Sequence, residues 1–333
     1  MSIPRFAFLI HPLTMNQRRF VGVRRMDWAL YTRKHGRHFQ PGRICSLEMK
    51  GVAIGEVISV PWLPQELIGD QSGGVEAMAS AVAQMKDVQA VGLGSLLAVV
   101  GSRGEALAER CEVPITTGAA ATSWAAIENT LQVLERTGET EVAVLGFSGT
   151  VGEAVAEGLA AAGVKVVVGG KGKALARRAE GMGIGFASIE EAVRGRRVVV
   201  GAGTTGGVLE PGFLQPHSVL LDVALPSTLK IGPRPKGLIV LAAEAMNLPA
   251  GWRRGFWGRV YHLISGYGPS QIYACLAEPM VMAALGIETP FAQGRRLPIS
   301  QVHAFGDAAK SLGLSARLAA GWKVVDPQQF HKS

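Results

Sequence analysis

Glu141-Val142-Ala143-Val144-Leu145-Gly146-Phe147-Ser148-Gly149-Thr150-Val151-Gly152 decides the fold of this chain. A short apolar run enters a turn through Gly146, Gly149 and Gly152, and an alanine-rich helical pattern follows at once. Glycine keeps such a turn tight and lets the backbone approach a pyrophosphate, while the opening helix offers unpaired N–H donors. The spacing is Gly-x-x-Gly-x-x-Gly rather than the stricter Gly-x-Gly-x-x-Gly, so context carries the reading. A strand precedes, a helix follows, and Val164–Val168 supplies a second strand one crossover later. The expectation is a dinucleotide held by Gly146, Ser148, Gly149, Thr150, Val151 and Gly152.

Outward from this turn, Glu141 to about Leu241 alternates strand and helix in the manner of a doubly wound parallel sheet. Strands are expected at Val142–Leu145, Val164–Val168, Arg197–Val200, Val219–Val223 and Leu238–Leu241. Helices are expected at Val151–Ala162, Ala174–Gly181 and Ile189–Arg194. Before it, Ala121 to Arg136 reads as one long amphipathic helix stopped by Gly138. The first segment mixes strand-like runs (Arg5–Ile10, Gly55–Val60, Val88–Leu93, with Ser95–Val100 a further buried strand) with helical patterns near Val75–Met85 and Gly104–Cys111. After a stretch containing Trp252, Phe256, Trp257 and Tyr261, helical patterns return at Ser270–Leu285 and Ser300–Ala320. The fold class is therefore α/β: a Rossmann-type domain plus a second α/β domain, with C-terminal helices packing back on the first. The expected division is an N-terminal substrate domain over 1–120, a linking helix over 121–139, an NADP-binding domain over 140–250, and a C-terminal helical segment over 251–333.

Composition narrows the function. The 333 residues carry a formal net charge of +8, which suits an anionic partner. Aromatic residues make up only 6% of the chain and the arginine pairs are scattered, so no nucleic-acid surface is expected. No run approaches the roughly 18 apolar residues of a membrane span, which leaves only peripheral membrane contact open. Phe6–Ile10 is too short for the core of a secretory signal. Cys45, Cys111 and Cys275 lack paired spacing, so neither a disulfide framework nor a metal site is expected, and a reducing cytoplasm fits.

The cofactor follows from charge. A carboxylate some 20 residues past the glycine turn would bind the ribose 2′-hydroxyl of NAD. No Asp or Glu occurs between Glu157 and Glu180, whereas Lys171, Lys173, Arg177 and Arg178 do. Lys171 and Lys173 are expected to attract a 2′-phosphate, which favours NADPH. The loop after Val200, containing Thr204, is expected to lie across the nicotinamide.

Gly268-Pro269-Ser270-Gln271-Ile272-Tyr273-Ala274-Cys275-Leu276-Ala277-Glu278-Pro279-Met280 holds the candidate nucleophile. Pro269 and Ser270 read as helix-start residues, so Cys275 falls little more than a turn inside, near the positive helix end that lowers a thiol pKa. Pro279 cannot donate to the Cys275 carbonyl and should distort the helix there. A lone helical cysteine is also commonly a small buried apolar residue.

The Gln271–Met280 segment, the Thr116-Thr117-Gly118 element with Thr122, the Val142–Val155 turn and the N-terminal Phe8-Leu9-Ile10-His11 together resemble the cyanobacterial long-chain acyl-(acyl-carrier-protein) reductases. That resemblance covers most of the chain. It implies an acyl-enzyme thioester on Cys275, reduction by NADPH to a fatty aldehyde, and an acyl carrier protein or acyl-CoA as donor. It further implies Thr117, Gly118 and Gln271 at the substrate, with the backbone N–H groups around Thr117-Gly118 as oxyanion donors. His11 is the candidate proton donor or donor to that oxygen, and it also reads as a structural histidine at a strand end. Two positions depart from the family: Ala119 stands where it has asparagine after Thr-Thr-Gly, and Ala245-Met246 follow Glu244 where it has a Glu-His pair. A second reading is a shikimate-dehydrogenase-like NADP enzyme acting on a small polar substrate without covalent catalysis. A third is an NADP(H)-binding protein without catalysis.

Overall fold

The structure, a computed structural model, describes residues 3–11, 42–49, 51–60, 62–204, 206–224, 227–249, 252–254, 270–320 and 323–324. Phe256, Trp257, Tyr261 and Pro269, singled out in the sequence, lie outside the described residues.

The strands are β1 (Arg5–Ile10), β2 (Gly42–Met49), β3 (Ala53–Ser59), β4 (Ala90–Leu93), β5 (Ile115–Thr116), β6 (Glu141–Leu145), β7 (Lys165–Gly169), β8 (Gly185–Ala187), β9 (Val198–Gly201), β10 (Val219–Asp222), β11 (Ile239–Ala242), β12 (Ala245–Asn247), β13 (Trp252–Arg254), β14 (Gln271–Tyr273), β15 (Ser315–Ala316), β16 (Ala319–Ala320) and β17 (Lys323–Val324). The α-helices used below are α1 (Pro64–Gly69), α2 (Gln71–Ala83), α3 (Glu105–Ala108), α4 (Ala119–Thr137), α5 (Thr150–Ala161), α6 (Lys173–Gly181), α7 (Ile189–Val193), α8 (Ala274–Leu285) and α9 (Ile299–Ser311).

The second sheet runs β17-β16-β11-β10-β9-β6-β7-β8, and its six strands from β6 to β11 are mutually parallel. Numbered from β6, their order is 3-2-1-4-5-6, the doubly wound Rossmann arrangement with its switch point between β6 and β9. The first sheet runs β13-β2-β3-β1-β4-β5; β1, β3, β4 and β5 are parallel, β2 runs antiparallel to β3, and β13 pairs antiparallel with β2. The chain is thus α/β in both halves.

Side-chain alternation explains how the halves join. On β1, Ala7 and Leu9 enter a core with Leu67, Met78, Leu97 and Leu107 under α1, α2 and α3, whereas Phe6 and Phe8 face the opposite way. On β6, Ala143 and Leu145 face a core with Leu209 and Leu214, whereas Val142 and Val144 face the opposite way. Phe6, Phe8, Val142 and Val144 all enter one continuous core built around α4, α5, α8 and α9. Burying each such side chain is worth roughly 1.5–3 kcal/mol. Helix α8 lies on β1 and β4, with Pro279 seated where a Gly92 Cβ would come within 2.5 Å of it. Helix α9 instead packs on α4 and α5; Gly306 makes room for the Trp124 indole, and Phe305 meets Trp124 and Phe291 edge-on.

Three local expectations change. Ser95–Ala98 is a 3-10 turn rather than a strand, the strand having ended at Leu93. The helix expected from Ser270 begins at Ala274, because Gln271–Tyr273 pairs with β12. The helix expected to reach Ala320 ends at Ser311; Gly313 turns at φ +77°, and the following residues pair with β12 and β11. The segment 251–333 is therefore not wholly helical, and its β13 joins the first sheet.

Candidate functional site

The three glycines of the turn have three different reasons to be glycine. Gly146 has φ +91°, and a Cβ there would press on the backbone of Ala202 and Gly203 after β9. Gly152 lies inside α5, where a Cβ would come within 2.2 Å of the Gly146 carbonyl oxygen. These two fix the turn against its own protein. Gly149 has ordinary extended backbone, and its Cβ would meet only the Gly146 oxygen, at 3.4 Å. No packing inside the protein requires glycine at 149; a Cβ there would fill the cradle above the helix N-terminus. A pyrophosphate approaching the α5 N–H groups fits that pattern. Ser148 is exposed, and Thr150 and Val151 are partly buried in the first turn.

Lys171 and Lys173 stand at the carboxyl end of β7, exposed and without an ion pair among the described residues. Arg178, grouped with them in the sequence reading as a cation for phosphate, has another task. It donates to the Phe147 carbonyl at 2.8 Å, lies over the Phe147 ring at 5.1 Å and pairs with Glu153 at 3.1 Å. It braces the turn from outside. Thr204 is exposed in the loop after β9. At the end of β10, Asp222 accepts from Ser227 Oγ (2.6 Å), Thr228 N (2.9 Å) and Thr228 Oγ1 (2.8 Å), folding the next loop back on the sheet edge. Neither the Arg178 brace nor Asp222 was singled out from sequence.

Of the residues expected at the substrate, Thr117, Gly118 and Cys275 come together. Gly118, at φ +73°, opens α4, and its Cβ would lie 2.5 Å from Cys275 Cβ. Glu278, one turn along α8, is fully buried: Thr116 Oγ1 donates to its Oε1, and Ala121 N donates to its Oε2 at 2.7 Å. It thereby caps α4. Burial pushes its carboxyl up to about 7, opposed by the Thr116 hydroxyl and the N–H groups of Ala121, Ala120 and Ala292. Glu244, between β11 and β12, is held by the Ala274 N–H on its carbonyl, while Asn129 donates to the flanking carbonyls of Ala243 and Ala245.

Cys275 lies in the first turn of α8, closer to the helix end than its sequence suggested. The thiol nevertheless moves the wrong way for a nucleophile: burial, then Glu244, then Glu278 push it up to about 12, and the N–H groups of Leu276 and Cys275 offset only part. A thiol so placed stays protonated near neutrality. His11, at the end of β1, is buried with its Nε2 accepting from Leu96 N at 3.2 Å. Gln271 is buried in β14, opposite Asn247. Among the described residues no group of three or more His, Cys, Asp or Glu could hold a metal ion, and no helix is long and apolar enough to cross a membrane.

One short segment joins the two sites. The Ala292 carbonyl accepts from Thr117 N at 2.9 Å and from Thr116 Oγ1 at 3.1 Å, and the Arg295 carbonyl accepts from Thr150 Oγ1 at 3.3 Å. The three residue steps between them span at most about 11 Å.

The strand order and the glycine turn at its switch point define a Rossmann-type domain joined to a second α/β domain. No family model matches the chain. It is similar to a protein of Serratia sp. named "Aminotransferase PigE", with 28% identity over 291 residues that cover 83% of this chain and 34% of that protein. The chain thus spans about a third of that relative. Among solved structures it aligns with the dipicolinate synthase A chain of Bacillus subtilis at 15% identity, covering 72% of this chain and 89% of that one, with a TM-score of 0.32. It also aligns with the Sinorhizobium meliloti transhydrogenase at 10% identity, covering 55% and 59%, with a TM-score of 0.34. At such scores the fold rests on its own strand order.

These findings correct the resemblance drawn from the sequence. The matched curated relative carries the name of an aminotransferase, not of an acyl-(acyl-carrier-protein) reductase. Reduction of an acyl thioester to a fatty aldehyde through a Cys275 thioester is not upheld, and a thiol pushed up by burial, then by Glu244 and Glu278, is in keeping with that.

Proposed function

We propose that the chain is an NADP(H)-dependent oxidoreductase unit acting at a carbonyl–hydroxyl level substrate. The observation that carries this reading is the Ala292–Arg295 segment, hydrogen-bonded at one end to Thr117 and at the other to Thr150. It holds the Thr117-Gly118-Cys275 contact within a few residues of the glycine turn, the proximity that hydride transfer needs.

In this reading Gly149 leaves room for the pyrophosphate, and Lys171 and Lys173 favour a 2′-phosphate over a free hydroxyl. When bound, the nicotinamide supplies or accepts the hydride. The protein's own part is electrostatic and positional. Cys275, kept protonated, serves as a neutral donor rather than an attacking group. Glu278 holds or releases a proton at Oε1. When it is ionised Thr116 Oγ1 donates to it, and when it is protonated the same hydroxyl accepts from it and donates to the Ala292 carbonyl. That exchange alters the charge beside Cys275 without moving the backbone.

The test is turnover. NADPH oxidation is followed with a panel of ketones and aldehydes, and NADP reduction with the matching alcohols. Cofactor consumption that is retained in Cys275→Ser and lost in Gly149→Val supports the reading. Amino-group transfer without dinucleotide turnover would instead favour the activity for which the relative is named.

A further inference from the structure

We propose that Arg295 and Arg296, from outside the Rossmann domain, are phosphate-binding residues of the dinucleotide site; this rests on the cofactor reading above. The Arg295 backbone is anchored at the first turn of α5 by the Thr150 hydroxyl, so this arginine pair enters beside the helix end that the glycine turn opens. Its approach is fixed from the other side too. Gly294, at φ +73°, donates its N–H to the Arg103 carbonyl at 3.0 Å and sits where a Cβ would strike the Glu105 carboxylate. From Arg296 the chain runs into α9, whose Ile299 packs against Gly158 on α5.

Both arginines are exposed, and neither makes an ion pair among the described residues. On α6 the nearby Arg178 is committed to Glu153 and Phe147, and elsewhere in the domain Arg194 and Arg196 are paired with Glu190 and Glu141. Glu153, the acid in the first turn of α5, is already neutralised by Arg178. Two arginines without an ion pair, on a segment whose backbone meets the first turn of α5 next to Gly149, can offer a bidentate anion two guanidinium groups there. Their phosphate differs from the one assigned to the lysines. Lys171 and Lys173 follow β7, on the adenosine side; Arg295 stands at α5, over the pyrophosphate that NADPH and NADH share.

This division gives a test with separable outcomes. Dissociation constants for NADPH and for NADH are measured on the full chain as wild type, Arg295→Gln, Arg296→Gln, the double arginine variant, and Lys171→Gln/Lys173→Gln. The double arginine variant is expected to lose about tenfold or more in affinity for both dinucleotides alike, keeping their ratio. Its binding should also depend less steeply on salt. The lysine variant is expected to lose affinity for NADPH alone. Arginine variants that bind both cofactors like a wild type that itself binds NADPH would overturn the proposal and leave the cofactor reading standing. A wild type that binds neither overturns both.

Discussion

Gly118, at the start of α4, and Cys275, in the first turn of α8, are in backbone contact: a Cβ on Gly118 would lie 2.5 Å from Cys275 Cβ and 2.6 Å from its Cα. Gly118 also holds φ +73°, a conformation that costs any other side chain. Gly118→Ala is therefore expected to lower stability by about 2 kcal/mol or more. Shortening the cysteine to alanine in the same background should not restore it, because the clash includes the Cys275 backbone. Chemical denaturation of the single and double variants measures this.

The glycine turn predicts a contrast between neighbours. Gly152→Ala drives a methyl into the Gly146 carbonyl and should destabilise the fold by about 2 kcal/mol. Gly149→Ala should leave the unfolding midpoint within the roughly 0.5 kcal/mol of an ordinary surface change while weakening dinucleotide binding. Thermal unfolding with and without NADPH separates the two. Equal destabilisation by both would show that Gly149 serves packing after all.

The Cys275 thiol, pushed up to about 12 by burial, Glu244 and Glu278, should react slowly with iodoacetamide at pH 8. Its rate should climb with every pH unit well past the point where an ordinary cysteine levels off. Glu244→Gln removes one of the two flanking charges and should raise the rate at pH 8 several-fold. Mass spectrometry of the Cys275 peptide reads this directly, with a short unstructured cysteine peptide in the same solution as the reference.

Glu278 gives the pH dependence of stability its sign. Its folded pKa, about 7, lies above the ordinary carboxylate value, so the folded chain binds the extra proton between them. Stability should fall as pH rises from the ordinary carboxylate range to about 7, by at most about 1.4 kcal/mol per pH unit, and level off above. Glu278→Gln can keep the hydrogen bonds to Thr116 and Ala121 without the charge, and should flatten that slope. Denaturation curves across pH 4 to 8, roughly the window set by the linkage, check it.

The parallel strands were legible because each is a compact apolar run closed by a turn, as at Val198–Gly201 and Val219–Asp222. Gln271–Tyr273 was not, since Pro269 and Ser270 mimic a helix start and only pairing with Met246 makes the segment a strand. The alanine-rich stretch after Ser311 was misread for the same reason: its partners, Met246 and Ala242, lie far back in the chain. At the site, local spacing brought out Gly146–Gly152 and Cys275. The burial that raises the thiol, and the two carboxylates that add to it, come from the link between β11 and β12 and from a buried helix cap, and nothing local in the sequence announces either role. Arg178 read as a free cation because its acceptor, the Phe147 carbonyl, is a backbone atom that no residue pattern records.

The most direct measurement is the binding of NADPH and NADH to the purified chain, by calorimetric or fluorescence titration at one fixed ionic strength. The account predicts one site per chain, with NADPH bound more tightly than NADH and the preference lost in Lys171→Gln/Lys173→Gln. Absence of binding to either dinucleotide would contradict it.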